Sequence, residues 1–158
     1  MQIIRVGLLA AGMALAAASA QALTFTTNNI LPTPSANQLA PTTNSADFRL
    51  DFVGSDLSAP APNSRTPWEG TAFENTATYN SVEAGGFAEY TFGSARSFFR
   101  LMWGSPDDYN TLEFLLGGIS QGTLTGDQVD DPPPAGTGFV NVFVTDVSFD
   151  TVRFTSTQ

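Results

Sequence analysis

Apolar and polar residues alternate along most of this chain, and the alternation has the two-residue period of strands with one buried face. The pattern is strongest between Ser97 and Leu116. Phe99, Leu101 and Trp103 fall on one face and Phe98, Arg100 and Met102 on the other. Leu112, Phe114 and Leu116 then alternate with Thr111, Glu113 and Leu115. Between the two runs lies Gly104-Ser-Pro-Asp-Asp108, whose residue types each favour a turn for a separate backbone reason. The segment therefore predicts a strand, an acidic turn and a second strand.

Further strands are predicted around 23–26, 47–53, 71–79, 86–92, 119–125, 139–145 and 149–155. In 47–53, Phe48, Leu50 and Phe52 are expected to point inward, with Arg49 and Asp51 outward. The runs 71–79 and 86–92 are plausible partners, with 82–85 near the turn between them. Leu116-Gly-Gly-Ile119 predicts a tight reversal. Three loops separate these runs: a Pro-, Thr- and Asn-rich stretch at 28–44, one at 54–68, and an acidic, Pro-rich one at 126–138. Many short strands with Gly- and Pro-rich turns indicate an all-β fold, an antiparallel β-sandwich or jelly roll. A single open sheet is the alternative. Residues 139–144 are apolar on both faces, which marks a buried central strand and favours the sandwich.

The amino-terminal segment has a different pattern. Met1 to Arg5 carries one positive charge, Val6 to Ala18 is apolar and uncharged, and Ala18-Ser-Ala20 and Ala20-Gln-Ala22 are small-x-small sites. These are the parts of a secretory signal peptide, with cleavage expected after Ala22 or Ala20. The apolar run is shorter than the roughly 20 residues of a spanning helix. The expected organisation is a signal peptide at 1–22 and one domain at 23–158, with no transmembrane segment in the mature chain.

Composition narrows the chemistry. The chain has no Cys, no His and no Lys, so export would bring no disulfide. Without Arg5 the 15 acidic residues face five arginines, a net charge of −10. A surface this acidic repels nucleic acid and anionic lipid.

The run Phe-Arg-Leu-Met-Trp103-Gly-Ser-Pro-Asp-Asp-Tyr-Asn-Thr-Leu-Glu-Phe114 resembles a segment of bacterial exosortase-dependent surface proteins of the PEP-CTERM type. Leu124-Thr-Gly-Asp127, Gly138-Phe-Val-Asn-Val-Phe143 and Phe149-Asp-Thr-Val-Arg-Phe-Thr-Ser-Thr-Gln158 are similar to later parts of the family, in the same order. The resemblance covers the second half of the chain. It implies export and a structural or adhesive role at the cell surface or in extracellular matrix, with no defining reaction. Members usually continue through a further strand, a Pro-Glu-Pro motif, an apolar helix and a basic tail. The sequence ends at Gln158 without them. On the resemblance, it would be a secreted relative that exosortase does not process, or a truncated product.

No catalytic residue is assigned. The commonest general base, the thiol nucleophile and the Schiff-base amine are all absent. A glycosidase would need two facing carboxylates, and the adjacent pairs Asp107/Asp108 and Asp130/Asp131 would diverge on an extended backbone. Calcium is the one cofactor the sequence raises, because Asp107, Asp108 and Asn110 share one loop and Asp127, Asp130 and Asp131 another. If the loops met, they could share an ion; Asp-capped turns are the plainer reading. The second loop lacks the glycine of an EF-hand, since Pro132 follows Asp131. Trp68, Tyr109 and Asn110 are the candidate ligand contacts: the first two are loop aromatics that could stack on a sugar, and Asn110 could hydrogen-bond it. Asn110 could equally cap its own turn. Trp103, on the face shared with Phe99 and Leu101, is expected in the core. Extracellular polysaccharide and other surface components are the partners these features fit.

Overall fold

The computed structural model describes residues 23–34, 38–56, 64–129 and 139–158. The expected signal peptide, Asp130 and Asp131 lie outside the described residues. The fold is all-β and antiparallel, as the alternation predicts, and consistent with a β-sandwich. Its strands are β1 (Thr24–Asn28), β2 (Thr43–Asn44), β3 (Phe48–Val53), β4 (Thr78–Val82), β5 (Phe87–Gly104), β6 (Asn110–Leu116), β7 (Ile119–Thr125) and β8 (Phe139–Ser156). A single helical turn, α1 (Gly126–Val129), follows β7.

β8 is the spine of the main sheet, which runs β2-β5-β8-β6-β7. One edge of β8 pairs with β5 over nearly its whole length, from Gly104↔Phe139 to Phe87↔Thr155. The other edge is shared: β1 pairs with residues 141–145 and β6 with residues 151–156. β3 and β4 form a separate two-stranded sheet.

The runs at 86–92 and 97–103 are one continuous strand, β5, and those at 139–145 and 149–155 are likewise one strand, β8. Both are bent at the same level. The β5–β8 register shifts between Thr91 and Arg96 and again between Arg96 and Phe98. Asp146 turns the β8 backbone through φ 60°, a left-handed conformation that Asp tolerates better than most residues. The bend folds the sheet over its apolar face. Phe149 meets Phe114 at 5.2 Å, Phe92 at 5.9 Å and Phe99 at 6.2 Å, each edge to face, the geometry aromatic rings prefer. Val140, Val142, Val144, Val152, Leu112 and Leu124 fill the rest of the core. The opposite face is polar where Glu89, Arg153 and Glu113 stand side by side across three strands; Arg153 and Glu89 pair at 2.9 Å.

Two expectations need correction. Residues 71–76 form turns, and β4 pairs with β3 while β5 pairs with β8 and β2, so 71–79 and 86–92 are not a hairpin. Leu50 is not inward but 51% exposed. The register of β3 slips between Arg49 and Phe52, where Asp51 takes φ 51°. A slip of this kind reverses which face a side chain occupies. The Gly117–Gly118 reversal between β6 and β7 is as expected, with both residues at positive φ.

Phe149→Ala should cost about 3–5 kcal/mol in a urea or thermal melt, the range for a buried aromatic. Ile119→Ser, at an exposed position, should stay within about 0.5 kcal/mol. Equal losses at the two sites would contradict the placement of the core.

Candidate functional site

The turn between β5 and β6 is built from its own side chains. Ser105 adopts φ 53°. Pro106 is fully buried. The amide of Asn110 donates to the Asp107 carbonyl at 3.0 Å, and Asn110 Nδ2 donates to the Ser105 carbonyl at 3.2 Å. Tyr109 donates its hydroxyl to Asp107 Oδ2 at 2.7 Å, and its carbonyl accepts from the amide of Thr157 at 3.2 Å. Just before the turn, Trp103 packs on Phe154 at 5.2 Å in the core, as its strand face predicts.

The two acidic loops do come together, through backbone. Gly126 opens α1 against the turn so closely that a Cβ would overlap the carbonyl oxygen of Asp107 and lie 2.6 Å from its amide nitrogen. Among the described residues, the carboxylates of Asp107, Asp108 and Asp127 form no common cluster. Asp108 and Asp127 are exposed, and Asp127 Oδ1 accepts from the Thr125 hydroxyl. Among the described residues no three acids gather in a metal-binding arrangement.

A half-open groove of about 1180 Å³ begins at this turn. It runs along the edge of β5 that no strand covers beyond Glu89 among the described residues. Side chains from both faces of β5 therefore contribute: Phe99, Leu101 and Trp103 on one side, Phe98, Arg100 and Met102 on the other. The opposite wall comes from β4 and the segments around Gln38 and Trp68. Asn80 Nδ2 joins that wall to β5 by donating to the Leu39 carbonyl at 2.9 Å and to the Tyr90 hydroxyl at 3.1 Å. Gln38 Nε2 donates to the Thr78 carbonyl. Arg49 pairs with both Asp56 and Glu83 and so fixes the base of the β3–β4 hairpin.

The candidate ligand contacts divide within this groove. Tyr109 lines it, half-buried at one end. Asn110 lines it too, but its amide group is engaged in the turn. Trp68 is only 5% exposed and stacks edge to face on Phe73 at 5.7 Å, so it forms wall rather than an open platform. The indole nitrogens of Trp68 and Trp103 and Oδ1 of Asn141 are buried with no hydrogen-bond partner among the described residues. All three residues line the groove. Unpartnered buried polar atoms of this kind cost about 1–3 kcal/mol each. Arg96, Phe98 and Arg100 are groove residues that the alternation does not single out; the one signal for them in the sequence is arginine recurring among the phenylalanines of 96–100.

The tyrosines resist ionisation. Burial pushes the Tyr109 hydroxyl up to about 12, reinforced by its hydrogen bond to Asp107 and the charges of Asp107 and Asp108. Burial also raises Tyr90, against the opposing hydrogen bond from Asn80. Burial raises Tyr79 furthest, with Arg49 opposing and Asp56 and Glu83 adding.

No family model, curated protein or solved structure matches this chain.

Gly126→Ala should destabilise the domain by roughly 1–3 kcal/mol, as overpacking against backbone does, with the loss read from a denaturant midpoint; an unchanged midpoint would contradict the close approach. Because the folded protein holds the Tyr109 proton more tightly than the unfolded chain, its stabilising contribution is complete below about pH 10, the ordinary tyrosine value. It is lost as pH rises towards about 12. Phenolate absorbance should stay low in the native protein near pH 10 and rise together with unfolding. Full ionisation without unfolding would contradict the burial.

Proposed function

We propose that this chain is an exported, non-catalytic protein of the cell surface or extracellular matrix, with a structural or adhesive role exercised through the groove beside β5. The observation that carries the reading is the groove itself: wide, half-open, walled by aromatic rings and edged by hydrogen-bonding groups, the make-up of a ligand site. The signal-peptide pattern at 1–22 and the resemblance of residues 99–114 to exosortase-dependent surface proteins support the location. The lack of His, Cys and Lys supports a binding role over a catalytic one.

Carbohydrate is the occupant favoured by the lining. Tyr90, Tyr109, Phe98 and Met102 offer flat or adaptable apolar faces, and the polar groups of Asn80, Ser81, Ser156 and Gln38 beside them are held in place by hydrogen bonds within the protein. A glycosidase finds less support. Asp107 is the one acid of the lining among the described residues, and Tyr109 already donates to it. A calcium-assisted variant would depend on Asp130 and Asp131 joining Asp107, Asp108 and Asp127.

Affinity electrophoresis of the 23–158 protein through gels containing neutral and acidic polysaccharides, combined with a reducing-sugar assay, tests this reading. Retardation in at least one polymer with no sugar release is expected. Sugar release abolished by Asp107→Asn would replace it with an enzyme, and free migration in every polymer would remove the carbohydrate-binding role.

A further inference from the structure

The groove carries positive charge on a strongly acidic protein. Of the five arginines outside the expected signal peptide, three are neutralised: Arg49 by Asp56 and Glu83, Arg65 by Glu69 at 3.3 Å, and Arg153 by Glu89. Arg96 and Arg100 make no ion pair among the described residues. Both line the groove, with Phe98 between them, 56% exposed. Each guanidinium instead rests against a ring, Arg96 at 5.8 Å from Phe92 and Arg100 at 5.2 Å from Phe143.

That arrangement is ordered for a ligand. Stacking on a ring holds a guanidinium in place through its π face and leaves its N–H edges free to donate. A carboxylate can then be met by paired charge-assisted hydrogen bonds with less conformational freedom lost on binding. Phe98 and Arg100, at regular two-residue spacing, lie about 6.6 Å apart; Arg96 precedes the register shift and pairs opposite Phe149 rather than continuing their face, and all three border the groove. A chain of flat rings bearing carboxylates at intervals matches both the charges and the apolar face between them.

Resting on the carbohydrate reading above, we propose that the groove selects acidic polysaccharides: uronate carboxylates pair with Arg96 and Arg100 while a sugar face stacks on Phe98. The net charge of −10 repels polyanions elsewhere on the surface, which confines their attachment to this strip.

The test uses polygalacturonate and its fully methyl-esterified form, which share a backbone and differ in charge. Affinity electrophoresis and calorimetry would compare the unmodified protein with Arg96→Gln, Arg100→Gln and the double variant, with Ile119→Ser as a control outside the groove. The free acid should bind, the ester should bind at least tenfold more weakly, and each substitution should weaken acid binding by about tenfold. Equal binding of acid and ester would overturn the charge selection and leave the carbohydrate reading standing. Binding of the acid unaffected by the double variant would overturn the assignment to this strip. Binding of neither polymer, with the glycan panel also negative, would overturn both. Displacement by poly-glutamate as effective as by polygalacturonate would show that charge alone is read, and would overturn glycan selection. A cooperative melt for each variant keeps these outcomes separate from misfolding.

Discussion

The contact of Phe149 with Phe92, Phe99 and Phe114 determines much of what surrounds it, because it forms where one sheet bends over its own apolar face. Without cysteine no covalent staple can hold that bend, so packing must. The rings come from three strands, and two of those strands, β5 and β8, run through the bend without a break. Closing the rings therefore sets the curvature of the whole sheet. β8 can sustain this because both its edges are paired, with β5 on one side and β1 and β6 on the other.

The bend also explains where the groove lies. β2 covers β5 only near Ala88 and Glu89. Past the bend, among the described residues, the outer edge of β5 is left to side chains and to the β3–β4 pair. An uncovered strand edge is ordinarily a site of unwanted pairing. Here it is flanked by charged residues and faced by a second wall tied across by Asn80. The same uncovered edge lets residues from both faces of β5 reach one groove, so the core aromatics and the exposed Arg96, Phe98 and Arg100 border the same space.

Much of this architecture is legible in the alternation of residues. β1, β3, β6 and β7 fall close to their expected positions, and the two-faced apolarity of 139–144 correctly marks the central strand. Boundaries were lost where bulges intervene. A local period cannot tell two strands separated by an irregular step from one strand that bends, and this is what happened at 93–96 and at 146–148. The expected pairing of 71–79 with 86–92 does not form for a related reason: nearness in sequence does not decide pairing, and long-range packing sets the partners. The residues of 104–108 mark a turn, yet nothing local reveals that Gly126 packs against Asp107 too closely for a Cβ. The burial of Trp68 is not legible locally because its partner, Phe73, lies in a segment of turns with no period of its own. The groove is not legible in the sequence because its walls come from separated segments brought together only by the fold.

Native-state hydrogen exchange tests the central claim most directly: that β8 is the spine of a bent sheet and β5 keeps an uncovered edge beyond the bend. Amides of β8 within 140–144 and 151–155 should exchange only with global unfolding. Alternate amides of 98–104, those pointing away from β8, should exchange orders of magnitude faster than their neighbours, because strand amides point to opposite sides in turn. Uniform strong protection across 98–104 would mean that a strand covers that edge. Early exchange in β8 would mean that the sheet is not built around it.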